Sequence, residues 1–460
     1  MSRNDSSAVK PIRQLAADLA AGVSSARQIV EDALERIEDP EGEGGRAFLS
    51  VAADRARATA DGVDAIRRAG GVVPPFAGIP FAVKDLCDVS GEVTTAGSIV
   101  LAGDDRARAN APALQRVIDA GFIVIGRTNM TEFAFSGLGL NAHFDAPSSP
   151  WDRANRRIPG GSSSGTGVAV ADGMAVVGLG TDTGGSCRIP AAFCGIVGFK
   201  PTASRVPLAG IVPLSRSLDS VGPLAGTVDC CAIVDDLFAG GTGWSEPYDR
   251  SPASIRLGAL TSVVLDDLDP EVATAYEVAL ARLRADGVHI QEVAFEELER
   301  LGDINARGGL AAAESFHWHR ALLAERGDDY DQRVRMRIEP GSAISAADYL
   351  DLLDARQSMI EIAAHRLRGF DAFVAPTVAI VPPTIDSFAD GDLDYYGRIN
   401  RLALRNTAIG NFLDSCSISL PVTAVGEAPV GLMLMGPPRG DRALFDVART
   451  VESTLHPLRF

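Results

Sequence analysis

The stretch from Gly160 to Pro190, reading GGSSSGTGVAVADGMAVVGLGTDTGGSCRIP, constrains this chain more than any other. It carries two serines, Ser162 and Ser186, each preceded by a pair of glycines. Glycine reaches backbone shapes closed to other residues, so hydroxyls and neighbouring N–H groups can converge on one reacting atom. Two such serines in one loop-rich segment point to a paired-serine nucleophile.

A hydroxyl is a weak nucleophile at neutral pH and needs a base. The six histidines fall at 143, 289, 317, 319, 365 and 456, none of them between 160 and 200. A lysine serves instead if burial holds it neutral. Lys84 is the natural candidate, because it ends the apolar run Ile79-Pro80-Phe81-Ala82-Val83, which reads as a buried strand delivering its last side chain to a strand-end loop. Taken by itself, that run fits a solvated lysine capping a strand better.

Three segments together carry a family resemblance: Lys84 within GIPFAVKD, Ser162 within PGGSSSG, and Ser186 within GTDTGGSCRIPAAFCGIVGFKPT. They resemble the amidase signature family of Ser–cis-Ser–Lys hydrolases. The likeness runs from Ser25 to about Val451 and is much looser outside residues 70–225. Cys187 departs from the Ile, Leu or Val usual after the nucleophile, and a small apolar thiol should fit there.

The resemblance implies an α/β fold, a large mixed β-sheet covered by helices on both faces. It also implies catalytic roles: Ser186 as nucleophile, Ser162 as proton shuttle after a cis peptide bond, and Lys84 as base. The oxyanion hole would consist of the N–H groups of Thr183, Gly184, Gly185 and Ser186, which leaves no task for a metal or cofactor. Alignment puts Ala134, Phe135 and Ser136 along the acyl pocket, although that stretch taken alone reads as core. Ser163 would hydrogen-bond the lysine or the shuttle serine, while Asp182 and Arg188 would pair and brace the nucleophile loop. Ordinary loop hydrogen bonding fits each of these three equally well in isolation.

Two function classes follow. The first is a stand-alone hydrolase of small linear amides, in a family with relatives acting on carbamates, ureas, anilides and esters. The second is a glutaminase subunit resembling that of glutamyl-tRNA amidotransferase, which retains the same triad. Neither residues Ala134–Gly139 nor the more helical half offers a charged residue assignable to a glutamine α-carboxylate or α-amine, which favours the first.

Other motifs carry less. Gly161–Gly165 also matches the nucleophile elbow GxSxG with Ser163 attacking, but an elbow follows a strand, and Asn155–Pro159 precedes this one. The glycine loops lack the Gly-Lys-Ser/Thr of a phosphate loop. Glu314, His317 and His319 have helical spacing at which i and i+2 diverge, so both histidines read as surface residues and no metal is expected. The cysteines at 87, 187, 194, 230, 231 and 416 form no CxxC pair, and reduced thiols in a cytosolic protein are the default.

An excess of 60 acidic over 43 basic residues works against nucleic acid and anionic membranes as partners. No run reaches the roughly 18 apolar residues of a membrane span. A cytoplasmic protein with a small amide-type substrate is therefore expected, its homo-oligomeric state left open. We read residues 1–460 as a single domain: a catalytic core over about 70–225, a more helical, substrate-shaping half over 255–370, and carboxyl-terminal strands and helix over 371–455. Ser25 followed by Gln28 marks a helix start, with Ile29, Ala33, Leu34 and Ile37 at helical spacing. Strands are expected at 79–83, 122–125, 195–199, 371–375, 417–423 and 430–435, and helices near 111–120 and 441–454.

Overall fold

Ser25 opens a helix where its spacing predicts one. Its side chain accepts from the Gln28 N–H at 3.0 Å and caps Ala26–Glu38, whose Val30, Ala33, Leu34 and Ile37 are buried. The computed structural model describes residues 10–243, 247–248 and 250–455. Within them the chain supplies β1 (Phe48–Val51), β2 (Pro80–Lys84), β3 (Ile123–Thr128), β4 (Val177–Thr181), β5 (Val197–Lys200), β6 (Val221–Ala225), β7 (Arg256–Leu260), β8 (His289–Val293), β9 (Ala372–Pro376), β10 (Ser417–Pro421) and β11 (Gly431–Met435).

These form one sheet in the order β1-β3-β2-β4-β6-β5-β10-β11-β9-β7-β8. Pairing is parallel where β2 meets β3 and β4, and again where β7 meets β8 and β9. The strands between run antiparallel, so the sheet is mixed. The segments 371–375, 417–423 and 430–435 complete it from the carboxyl end as expected, and Asp441–Leu455 is helical.

Several strands escape a reading of the sequence. The half expected to be mainly helical does contain the helices Pro270–Ala285, Gly309–Arg326 and Ala346–Arg366, but it also contributes β7 and β8 at one sheet edge. β8 reads HIQEV and buries none of its residues fully, so its apolar signal is weak. β4 lies inside the stretch read as loop-rich; two of its five residues are glycines, which hides it.

Alternation along β5 places the two helical layers. Gly198 faces the helix Arg188–Cys194, where a Cβ would lie 2.7 Å from Ala191 Cβ. Phe199 points the other way and meets Phe445 of the carboxyl-terminal helix at 4.2 Å between ring centroids. On β4, a side chain at Gly178 would collide with Thr166 of the helix Ser164–Ala171. Glycines on one face thus let the two helices that follow Ser162 and Ser186 lie directly on the sheet backbone.

Gly198→Val should push the Arg188–Cys194 helix off the sheet, costing at least about 1–3 kcal/mol in urea unfolding and taking turnover with it. Ser25→Ala should cost about 1 kcal/mol through loss of the cap while turnover is kept.

Candidate active site

Lys84 is the last residue of β2, near the middle of the sheet's parallel section, and its side chain is wholly buried. Its Nζ lies 2.8 Å from Ser162 Oγ and 2.8 Å from Thr181 Oγ1 at the end of β4. Burial pushes the amine down to about 7, against the pull of nearby Asp182 and Asp219. A neutral amine then donates to one hydroxyl and accepts from the other.

Ser162 and Ser186 each stand two residues before a helix, Ser164–Ala171 in one case and Arg188–Cys194 in the other. The Gly161–Ser162 peptide is cis. The two serine loops are tied by a hydrogen bond from the Ser163 N–H to the Ser186 carbonyl at 3.3 Å. Ser186 is buried but retains slight exposure, whereas Ser162 has none.

Asp182 organises the nucleophile loop from beneath. Its carboxylate accepts from the backbone N–H groups of Gly185 and Cys187 at 2.8 and 3.1 Å, from Arg188 Nε and Nη2 at 3.0 and 2.9 Å, and from Asn411 Nδ2 at 2.9 Å. Burial alone would raise this acid, but the Arg188 charge and these bonds hold it at about 2. Arg188 is itself fully buried, so the ion pair is dry on both sides.

The Asp182–Arg188 pairing matches the expectation from the sequence; two other expectations need revision. The Ser163 hydroxyl hydrogen-bonds neither the lysine nor Ser162: it reaches the Thr181 carbonyl at 3.4 Å, and the second partner of Lys84 is Thr181. The Gly185 N–H is occupied by Asp182, because the loop folds over that carboxylate. The N–H groups of Thr183, Gly184 and Ser186 are not bonded to that carboxylate. Thr183 is fixed through its hydroxyl, which donates to Asp219 at 2.5 Å.

Ala134, Phe135 and Ser136 are buried, after a turn in which Phe133 and Ala134 take positive φ of 49° and 60°. Ser136 and the nucleophile loop are both held by one helix that the sequence alone did not place, Leu393–Phe412. From it, Tyr396 donates to Ser136 Oγ at 2.7 Å, and Asn400 Oδ1 accepts from Ser136 Oγ and the Gly137 N–H at 3.0 and 2.9 Å. Further along, the Thr407 hydroxyl donates to the Gly184 carbonyl at 2.6 Å and Asn411 reaches Asp182 and Arg188. The helical spacing of these polar residues was the available signal.

Among the described residues, no three His, Cys, Asp or Glu side chains are grouped to hold a metal ion. His317 is exposed, but His319 is buried, contrary to its surface reading: its Nδ1 lies 2.9 Å from the Tyr330 hydroxyl and its ring meets Phe133 edge-on. Burial pushes it down to about 3. Glu314 instead accepts from Ser215, Ser217 and Tyr349. No helix among the described residues is long and apolar enough to cross a membrane.

Comparison with known proteins establishes the family. The profile of the family described as Amidase matches residues 28–445. The 2-amino-5-chloromuconic acid deaminase of Comamonas testosteroni is 38% identical over 408 residues, covering 87% of each chain. A subunit of the glutamyl-tRNA(Gln) amidotransferase of Symbiobacterium thermophilum is 34% identical, covering 93% of each. Among solved structures, a crystal structure of an amidase superposes with a TM-score of 0.87 at 29% identity, over 97% of this chain and 100% of that one. The chain belongs to the amidase signature family and is a hydrolase of amides.

Asp182→Asn removes the charge that compensates a fully buried guanidinium. Urea unfolding should register a loss of about 3–5 kcal/mol, since breaking one side of a buried ion pair strands the other.

Proposed function

We propose that this enzyme cleaves a linear amide C–N bond through an acyl-enzyme on Ser186, with Ser162 as proton shuttle and Lys84 as base. The observation that carries this reading is a wholly buried lysine, down-shifted to about 7, hydrogen-bonded to the Ser162 and Thr181 hydroxyls rather than to a carboxylate. Ser186 Oγ attacks the carbonyl carbon while its proton passes to Ser162, and the Ser162 proton passes to Lys84. The oxygen that gains charge is held by the N–H groups of Thr183, Gly184 and Ser186, each contributing about 3 kcal/mol. When the C–N bond breaks, the proton returns through Ser162 to the departing nitrogen, and ammonia or an amine leaves. Water then enters by the same relay and releases the acid, restoring Ser186.

The scheme calls for no cofactor or metal, and carbamates, ureas, anilides and esters present the same carbonyl to it. The acidic surplus argues against a nucleic-acid partner. The likeness to the amidotransferase subunit supports a second reading, a glutaminase half that depends on a partner and charged tRNA. Assay of the purified chain separates the two: hydrolysis of small amides without tRNA supports the first, and glutamine as sole substrate with steep stimulation by complex and tRNA supports the second.

Ser186→Ala should abolish turnover and labelling by a fluorophosphonate while leaving the unfolding midpoint unchanged. More than trace activity or labelling in that variant would sink the nucleophile assignment.

The pH profile gives a separate check. Lys84 works as the neutral amine, so kcat/KM should climb from acid and level off above about pH 7. Because the unfolded chain binds this proton up to about pH 10 and the folded chain does not, stability should also rise with pH between about 7 and 10. Lys84→Ala should be nearly inactive at every pH, and a normal profile in that variant would remove it as base.

A further inference from the structure

One buried carboxylate near the reaction centre meets no arginine. Asp85, Asp182 and Asp235 are each paired with one, at 2.6, 2.9 and 2.8 Å. Asp219 is buried too, but its partners are a hydroxyl and backbone N–H groups. Its Oδ1 accepts from Thr183 Oγ1 and the Ser215 N–H at 2.5 and 3.1 Å, and its Oδ2 from the N–H groups of Leu214 and Ser215 at 3.0 and 3.1 Å. Burial pushes this acid up to about 6 against the pull of those donors, so at neutral pH it is a carboxylate and only accepts. Lys84 feels its charge from β2, and Glu314 opposes that charge from the helix Gly309–Arg326.

The sheet brings Asp219 to the nucleophile loop. β4 and β6 pair antiparallel with Thr181 opposite Val221, and the register runs on beyond both strands. Asp182 and Ser220 exchange N–H···O bonds of 2.8 and 3.1 Å. Thr183 is then opposite Asp219, and side chains directly opposed in an antiparallel pair lie within reach of each other. The segment that carries Asp219 is fastened in turn, because Glu314 accepts from Ser215 Oγ at 2.6 Å and from the Ser217 N–H at 2.9 Å.

The peptide planes of the nucleophile loop are not held equally. In the plane between residues 182 and 183, the Asp182 carbonyl accepts from the Ser220 N–H, Ser220 Oγ and Asn411 Nδ2 at 3.1, 2.9 and 3.1 Å. In the plane between 184 and 185, the Gly184 carbonyl accepts from Thr407 and the Gly185 N–H donates to Asp182. Between them lies the Thr183–Gly184 peptide, whose carbonyl and N–H have no hydrogen bond among the described residues. Glycine on one side leaves that plane easy to turn. The nearest restraint on it is the Thr183 hydroxyl bound to Asp219.

We propose that Asp219 is a positioning residue: by accepting the Thr183 hydroxyl it holds the Thr183–Gly184 peptide in one orientation, so that the Gly184 N–H is in place before charge develops on the substrate oxygen. This rests on the amide-hydrolase reading above. A donor that must first be turned adds to the barrier, whereas one already set does not. The effect belongs to kcat, because the substrate oxygen becomes an oxyanion only as attack proceeds.

The test compares variants at both ends of the tie. Thr183→Val keeps the shape and removes the hydroxyl, and should lower kcat by about 10- to 100-fold with KM within about 3-fold. Thr183→Ser, which retains the hydroxyl, should recover most of that loss. Asp219→Asn sets an NH2 against N–H and O–H donors and should lower kcat at least as far as Thr183→Val does. The double variant Asp219→Asn/Thr183→Val should be no slower than Asp219→Asn alone, since both changes remove one tie. Amide hydrogen exchange reads the tie without turnover: the Gly184 N–H should exchange at least about 10-fold faster in Thr183→Val than in the wild type or Thr183→Ser. A kcat for Thr183→Val within about 2-fold of wild type, losses that multiply in the double variant, or unchanged Gly184 exchange overturns the proposal. Should Asp219→Asn fail to fold, the two Thr183 variants decide by themselves. Faster Gly184 exchange in Thr183→Val, with no amide turned over by the wild type, removes the hydrolase reading and leaves the tie standing.

Discussion

The site depends on a lysine amine held in a dry place and hydrogen-bonded only to hydroxyls. Two opposing effects decide its charge. Burial favours the neutral amine, while acidic neighbours favour the ammonium. Asp182 is among those neighbours. Arg188 meets the Asp182 charge in a fully buried ion pair. The same carboxylate shapes the loop around Ser186 through the Gly185 and Cys187 N–H groups.

Convergence of the two serine loops is a consequence of how closely helices approach the sheet. Helices normally stand off a sheet by the depth of the side chains between them; here Gly178 and Gly198 remove that layer. A third glycine, Gly180, sits where a Cβ would come within 2.9 Å of Ser163 Oγ and 3.0 Å of Cys187 Sγ. The residues after both serines are thereby pressed onto neighbouring strands, β4 and β5 among them. Cys187 fits this face as a small buried thiol, its Sγ 3.6 Å from the Gly222 carbonyl. A β-branched residue common at that place in the family would fill the same space without the weak hydrogen bond.

The helix Leu393–Phe412 spans this arrangement. One face of it touches the acyl-side loop through Tyr396 and Asn400, the space between the loops through Leu404, and the nucleophile loop through Thr407 and Asn411. Ser136 and the loop around Ser186 are therefore held by the same helix.

Sequence alone determined the parts whose signal is local. Gly-Gly-Ser repeated at 162 and 186, and a lysine closing an apolar run at 84, are legible because backbone freedom and strand burial leave their marks within a few residues. The Asp182–Arg188 pair was expected only through the family resemblance, since in isolation ordinary loop hydrogen bonding fits each residue equally well. Tertiary structure alone decided what reaches those residues from far away. Thr181 as the second lysine partner lay in a strand disguised by glycine, and Asn400 meets Ser136 from 264 positions along the chain. Pairing of charges is settled by which side chains the fold brings within a few ångströms, and a sequence records only which charges there are.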